Sequence, residues 1–332
     1  MVTNKKSKNN SSNNFIKDKQ FLRPVTLKQY TGQEHIKKIL KVYLKAAQKR
    51  KESLDHLLLY GPPGLGKTTL ARIIANELKV GFKIISGANI EKIGDLAIIL
   101  STLQVGDVLF IDEIHSLTKN VEEILYSAME DFVLDVMIGK HEEKHNIRVD
   151  LPPFSLVGAT TKFGNISFPL RDRFGLILKL NYYTVLELQY LLKRTADVYG
   201  NLIEDEAILE LAQRSRGTPR IANRLFRRAR DFAELYSNKI ITHKIALETL
   251  KQLQIDENGL NKNDYNYLKN LVYKFNNGPV GIKNISASIG EEILTIEEVY
   301  EPYLIQKGYI KRTAKGRVAT PLAQMLLKQK NF

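Results

Sequence analysis

HLLLYGPPGLGKTTLARIIANEL, residues 56–78, decides the fold class. Its first five residues suit a short buried strand, and its last dozen carry apolar residues at helical spacing. Between them GPPGLGKT, Gly61 to Thr68, fits the pattern G-x-x-x-x-G-K-[ST]. Gly61, Gly64 and Gly66 let backbone N–H groups wrap phosphate oxygens, and a helix that starts at once adds its dipole. Lys67 is placed to bridge the β- and γ-phosphates of ATP and the Thr68 hydroxyl to hold Mg2+, with Thr69 next to them among the nucleotide-binding positions. A plain glycine turn needs neither the strand before it nor the helix after it.

Working outward, VLFIDEIH (108–115) gives a second buried strand that delivers Asp112 at its C-terminal end, where open parallel sheets place ligands. A carboxylate there can hold the magnesium shell. Glu113, one residue on, can polarise an attacking water, so the pair suits hydrolysis rather than binding alone. His115 has no partner identifiable from the sequence and reads as structural. GATT (158–161) ends another strand, and Thr161 offers a hydroxyl near the same phosphates, although a cap or turn hydroxyl would look alike. In GTPR (217–220), Thr218 fits an N-cap and Pro219 the first helical position. Arg220 then lies in the first turn and can lean onto nucleotide, while Arg224, Arg227, Arg228 and Arg230 read as a solvated basic face. PLRDRFG (169–175) places Arg171 and Arg173 around one aspartate, and arginine presents a rigid fork of donors that suits phosphate.

The 332 residues suit two or three domains, and 43% of them are hydrophobic. Strands HLLLY, FKIIS (82–86), DVLFID (107–112) and FSLVGAT (154–160) alternate with amphipathic stretches, which indicates an α/β fold with a parallel sheet covered on both faces. From Tyr182 to Leu253 the pattern is helical. Beyond it, YIKRTAKGRVAT reads as a hairpin. The first 20 residues read as a disordered polar tail with no apolar run of the secretory kind. No stretch approaches the roughly 18 apolar residues of a membrane span, and a cytoplasmic location follows by default. There is no cysteine, so disulfides and thiolate chemistry are excluded. The excess of 50 Lys+Arg over 36 Asp+Glu, a net +14, favours a polyanionic partner, though a lysine- and asparagine-rich genome would give the same balance.

Taken together and in this order, GPPGLGKTTL, LFIDEIH, GATT and GTPR resemble the Walker A, Walker B, sensor 1 and sensor 2 motifs of the AAA+ ATPases. The strings LDHLLLYGPPGLGKTTLARIIANE, DLPPFSLVGATTK, PLRDRFG, RGTPRIANRLFRRARD and EPYLIQKGYIKRTAKGRVAT narrow this, for they closely resemble the RuvB family, motor subunits of bacterial Holliday-junction branch migration. The resemblance runs from about Leu22 to Thr320. It implies an AAA+ P-loop domain over 21–181, an all-helical lid over 182–253 and a winged-helix head over 254–332. It also implies Arg173 as the finger that completes a neighbour's ATP site, leaving Arg171 to pair locally with an acid. Leu22 and Arg23 would border the nucleotide with Tyr183 nearby, and Glu130, Asp131 and Phe132 would face the adjacent site.

For the head, the resemblance makes Arg312 and Arg317 DNA-contacting arginines. The residues agree, since Lys311, Arg312, Lys315 and Arg317 crowd the hairpin while Glu297, Glu298 and Glu301 make the preceding helix acidic. A basic wing holds phosphates without reading bases, whereas an acidic helix in a groove would be repelled. Two departures stand out. Ile293 replaces an arginine usual in the family, and the hairpin Val133–Val149, where the family binds its partner RuvA, carries the charged tip KHEEKHN between apolar flanks Val136, Ile138 and Ile147. Family membership implies hexameric rings flanking a RuvA-bound junction, with RuvC or another resolvase in a larger complex. Two other classes share parts of this pattern. Clamp-loader or helicase-loader ATPases have the same core but no basic winged hairpin, and a DEAH-type helicase, suggested by DEIH, would need a second motif set that does not follow.

Overall fold

The structure, a computed structural model, describes residues 23–138 and 145–330. The expectations for the N-terminal tail, for Leu22 and for the centre of the KHEEKHN tip concern residues outside this set, as do those for the side chains of Val136, Ile138 and Ile147. The chain forms two compact units. One takes the residues up to Gly200 with Gly217–Asn223, and the other takes Asn201–Arg216 with Arg224–Phe332.

The first unit is built on five parallel strands in the order β2-β3-β6-β1-β7: β1 (Leu57–Tyr60), β2 (Phe82–Ser86), β3 (Val108–Asp112), β6 (Ser155–Thr160) and β7 (Leu176–Lys179). The three central strands are buried almost throughout, whereas β2 and β7 at the edges are only partly covered. Central strands shielded on both faces must be continuously apolar, which is why their sequence shows no alternation. β7 was not among the strands read from sequence. Its four residues LILK are half-exposed and give no buried run to notice. Between β3 and β6 an antiparallel hairpin projects, β4 (Val133–Ile138) with β5 (His145–Asp150), pairing Val133 with Asp150 and Ile138 with His145.

Helices α1 (Glu34–Arg50), α2 (Lys67–Leu78), α3 (Ile93–Ser101), α4 (Lys119–Glu130), α5 (Phe168–Asp172) and α6 (Val185–Tyr199) complete this unit. α1 buries Ile36, Leu40, Leu44 and Ala47, one stripe at helical spacing. α6 is started by a capping box in which Thr184 and Glu187 satisfy each other's backbone N–H groups, and is ended by Gly200 in the left-handed conformation. Truncating a fully buried leucine of this core such as Leu58 to alanine costs about 2–5 kcal/mol.

In the second unit, α7 (Asp205–Gln213), the greater part of α8 (Pro219–Tyr236) and α9 (His243–Gln252) are joined by a two-residue parallel pair, β8 (Leu202–Ile203) with β9 (Ile240–Ile241). A separate core follows, centred on Tyr267, Leu268, Leu271, Ile285, Ile296, Leu304 and Leu327. Its elements are α10 (Lys262–Lys269), α11 (Ile282–Ile289), a helical run over 293–306 and α12 (Pro321–Gln329). The expected hairpin is present as β10 (Ile310–Thr313) against β11 (Gly316–Ala319), with Arg312 opposite Arg317. Arg216 ties the three-helix part to this core. Its Nε donates to the Gly259 carbonyl at 2.8 Å, its guanidinium pairs with the buried Asp264 carboxylate, and it lies 4.6 Å above the Tyr303 ring.

His56 joins three elements of the first unit. Its Nδ1 accepts from the Leu156 N–H at 2.9 Å, which leaves Nε2 to donate to the Met129 carbonyl at 2.9 Å. Burial is the main cause that lowers its pKa from 6.5. The unfolded chain therefore takes up this proton first, so the contribution is present above pH 6.5 and is lost as pH falls below it. The melting temperature should drop between pH 7.5 and 5.5, at most by the equivalent of about 1.4 kcal/mol per pH unit for this one group. In His56→Gln the drop should be smaller, and an unchanged pH dependence would remove His56 from this role.

Candidate functional site

The C-terminal ends of β1, β3 and β6 lie side by side, so the loops that follow them share one edge of the sheet. After β1 the chain turns through Gly61, Gly64 and Gly66, all at positive φ (141°, 81° and 100°), before α2 begins at Lys67. At Gly61 a Cβ would fall 2.6 Å from the Leu180 carbonyl oxygen, and at Gly64 the crowding comes from the GTPR turn. A Cβ there would fall 2.8 Å from Thr218 Cγ2 and 2.9 Å from Arg220 Cβ. The Arg220 N–H also donates to the Gly64 carbonyl at 3.3 Å, so the GTPR turn rests directly on the phosphate loop. From below, the hydroxyls of Tyr30 and Tyr183 lie 3.3 and 3.2 Å from the Leu65 carbonyl and 3.2 Å from each other.

Lys67 is 7% exposed, and its Nζ donates to the Gly61 and Pro62 carbonyls at 2.8 and 3.1 Å. Burial lowers its pKa, Arg220 adds to that, and Glu113 and Asp112 oppose it. Asp112 is shifted the other way, raised first by burial and then by Glu113, with Lys67 counteracting. The Thr68 hydroxyl lies 3.5 Å from Asp112 Oδ2. One hydroxyl and one carboxylate are a donor set for a hard cation that keeps most of its water and takes further oxygens from phosphate. No group of three or more acidic or histidine side chains that could cage a metal alone occurs among the described residues. A hydrated Mg2+ held partly by nucleotide therefore fits this set.

Glu113 is held in the left-handed region at φ 47°, a conformation that costs a residue with a side chain about 1–3 kcal/mol. The Thr161 N–H and hydroxyl both lie 3.1 Å from Glu113 Oε2, so sensor 1 and the acid are directly joined. His115 is also part of this cluster, with Nδ1 2.9 Å from the Thr160 hydroxyl and 3.3 Å from Glu113 Oε2. Glu113 is its near neighbour in sequence, but Thr160 comes from β6, which sequence order alone does not bring near.

The two arginines of PLRDRFG differ in their surroundings. Arg171 was expected to pair with an acid; instead its Nη2 donates to the Phe163 and Ile166 carbonyls at 3.3 and 3.2 Å, and its guanidinium lies 4.3 Å above the Phe163 ring. Backbone oxygens and a ring face suffice to hold a guanidinium against the protein. Arg173 donates to the Pro169 carbonyl at 2.8 Å and to Glu130 Oε2 at 3.0 Å, and lies 4.3 Å from the Tyr126 ring centroid. Its seat is prepared by a network absent from the sequence reading. Buried Glu122 accepts from the hydroxyls of Ser167 and Tyr126 at 2.6 and 3.1 Å, and Ser167 caps α5. Phe174 then packs against Gly158, where a Cβ would be only 3.0 Å from its ring.

Glu130 thus meets Arg173, while Asp131 is exposed and Phe132, at φ 54°, packs edge-on to Phe154. Arg23 is exposed at the start of the described chain, and Thr69 is partly buried in the first turn of α2. Tyr30, Tyr126, Glu122 and Ser167 fall in no phosphate-binding pattern, and only their hydrogen bonds identify them.

On the hairpin β10–β11 the arginines are not free cations. Glu301, expected to make the preceding helix acidic, is fully buried and serves both of them. Arg312 Nε lies 2.5 Å from Glu301 Oε2, and Arg317 Nε lies 2.9 Å from Glu301 Oε1. Arg317 Nη2 also reaches Glu297 Oε1 at 2.8 Å. The surface charge of that helix is correspondingly lower than a count of glutamates suggests. Lys311 and Lys315 are exposed, and Ile293 is half-buried at the start of its helical run.

A parallel sheet, a glycine loop closed on a buried lysine, and paired acids at the end of β3 define a P-loop ATPase of the AAA+ class. Comparison with known proteins narrows the class. Three family models match in succession, described as the Holliday junction DNA helicase RuvB P-loop domain over residues 22–180, the RuvB AAA lid domain over 183–256 and the RuvB C-terminal winged helix domain over 257–328. The Holliday junction branch migration complex subunit RuvB of Phytoplasma mali is 64% identical over 307 residues, 92% of each chain. That of Acholeplasma laidlawii is 58% identical over 315 residues, 95% of this chain and 94% of its own. The solved structure of the Thermotoga maritima RuvB Holliday junction branch migration motor superposes with a TM-score of 0.84 at 50% identity, covering 93% of this chain and 98% of that one. The chain belongs to the RuvB family.

Gly64→Ala should weaken nucleotide binding by tenfold or more, because the new methyl group must displace Thr218 or Arg220 and strain a positive φ. A fluorescent nucleotide titration checks this. Wild-type affinity in a folded variant would show that the loop and the GTPR turn can part freely.

Proposed function

We propose that this chain is the ATP-driven motor of Holliday-junction branch migration, hydrolysing ATP to move duplex DNA through a ring of its own copies. The observation that carries the reading is the convergence of Lys67, the Thr68–Asp112 pair and the Thr161-bound Glu113 on one sheet edge, in a chain that matches the RuvB domains along its length. Lys67 exchanges its carbonyl partners for phosphate oxygens, and the N–H groups at the start of α2 add further donors. Mg2+, held through Thr68 and Asp112, supplies charge neutralisation when bound. Glu113 takes the proton of the attacking water, and Thr161 fixes which way its carboxylate points. Arg220, seated on Gly64, leans over the loop and reports nucleotide to the residues that follow it. By family resemblance Leu22 and Arg23 border the same nucleotide, with Tyr183 nearby.

Arg173 serves the neighbouring copy. Its partners Glu130, Tyr126 and the Pro169 carbonyl include no residue of the Lys67, Asp112 and Glu113 cluster. Asp131 and Phe132 belong to the same surface. The assembly is a hexamer, and two such rings flank a junction held by RuvA, which docks on the hairpin Val133–Val149. RuvC or another resolvase joins the larger complex, in the cytoplasm. No described helix is long and apolar enough to cross a membrane. The hairpin β10–β11, with Lys311, Arg312, Lys315 and Arg317, holds duplex through its phosphates. A clamp- or helicase-loader reading has no use for this wing, and the wing therefore favours the translocase.

Glu113→Gln should bind ATP with near wild-type affinity and lose turnover by about 10²-fold or more. Arg173→Ala alone should lose about 10³-fold or more. Mixing it with Lys67→Ala subunits should restore ATPase, since each kind lends what the other lacks. Steady-state phosphate release reads all three, and mixtures that stay inert at every ratio would refute a shared site. For the whole reading, a synthetic four-way junction should be converted to forks only with ATP and RuvA present.

A further inference from the structure

The two wing arginines hold two glutamates of different character. Glu301 is fully buried, and the Tyr267 hydroxyl donates to its Oε1 at 3.0 Å, fixing the carboxylate from behind. The Glu297 side chain is 40% exposed and touches only the outer end of Arg317, Nη2 to Oε1 at 2.8 Å. The Arg312 side chain is 44% exposed and that of Arg317 14%. One carboxylate cannot balance two guanidinium groups, so Glu297 supplies the second counter-charge.

We propose that Glu301 is a positioning residue that presents Arg312 to a DNA phosphate, and that Glu297 occupies on Arg317 the place a phosphate takes when duplex arrives. This rests on the reading of the hairpin as a DNA-holding wing. Arg312 turns Nε and Nη2 inward to Glu301, with Nη2 also 3.5 Å from the Glu297 carbonyl, while 44% of its side chain stays exposed. A long side chain fixed in this way meets phosphate without first being ordered. The Glu297 pair is open to water on its carboxylate side, 40% exposed against 14% for Arg317, and is the more readily screened by salt. Duplex DNA carries a dense row of negative charge and can displace such a carboxylate. The Glu301 carboxylate itself is shut away from solvent, and removing an arginine there strands it.

The two glutamates should therefore act with opposite sign, although simple charge counting gives them the same one. Full-length protein is titrated with a labelled duplex of arbitrary sequence over a range of KCl. Glu297→Gln should tighten binding by about threefold, the size expected for losing a weak competing pair. Glu301→Gln should weaken it by about tenfold and reduce the slope of log affinity against log salt by about 0.9, one phosphate contact. Tyr267→Phe should shift both in the same direction as Glu301→Gln by a smaller amount, and decides the matter if Glu301→Gln does not fold. Tighter binding or an unchanged slope in Glu301→Gln overturns the positioning role, and unchanged or weaker binding in Glu297→Gln overturns the phosphate-place role. The double variant Arg312→Ala with Arg317→Ala separates the two levels: if it binds as wild type, the wing reading itself fails, whereas a loss there with the wrong signs at the glutamates sinks only this inference.

Discussion

A buried ammonium is the constraint on which the site depends. Lys67 is nearly inaccessible, and a charge in that position must be surrounded by oxygens or lose its proton. The loop answers by turning the Gly61 and Pro62 carbonyls inward, which only glycine-rich backbone can do at positive φ. The acids of β3 add the balancing charge. Each partner is therefore set by the one before it: the loop by the lysine, the strand ends by the loop, and the Thr218–Arg220 turn by the absent side chain at Gly64. Phosphate fits because it can replace carbonyl oxygens that already solvate the same cation.

The arginines show the converse rule, that what a fixed cation can do is decided by what holds it. Arg171 and Arg173 are two residues apart, yet one is satisfied by backbone carbonyls and a phenyl face, the other by a surface carboxylate and a tyrosine ring. The carboxylate at the surface is the partner that an incoming phosphate can replace. The same contrast recurs in the wing. Arg312 stays partly exposed while its Nε and Nη2 are fixed by a buried acid, so a basic hairpin in a lysine-rich chain becomes a surface of defined geometry.

Much of this could be read from residue order because phosphate binding is a local act of backbone. Glycines, a lysine and a threonine within eight positions prescribe a loop, and a strand ending in two acids prescribes where it points. The central strands were legible because burial on both faces leaves them uniformly apolar. The edge strand β7 was not, since a half-covered segment of four residues carries no such signal. Tyr30, Tyr126, Glu122 and Ser167 lay hidden for another reason. Each works through a partner at least four and up to 153 positions away, and nothing in the order of residues predicts which hydroxyl a buried carboxylate or carbonyl will meet.

What the chain's order determined by itself was chemistry with a short range: a phosphate loop, a magnesium ligand, a water-activating acid, a helix that begins on GTPR, and a basic hairpin near the end. What only the tertiary structure decided was which charges neutralise which. It put Glu113 on Thr161, turned Arg171 to the backbone and Arg173 to Glu130, and sank Glu301 beneath two arginines that residue order had left facing solvent. The physical reason is that electrostatic partnership depends on distance and burial. Both are properties of the packed chain, and neither is carried by spacing along it.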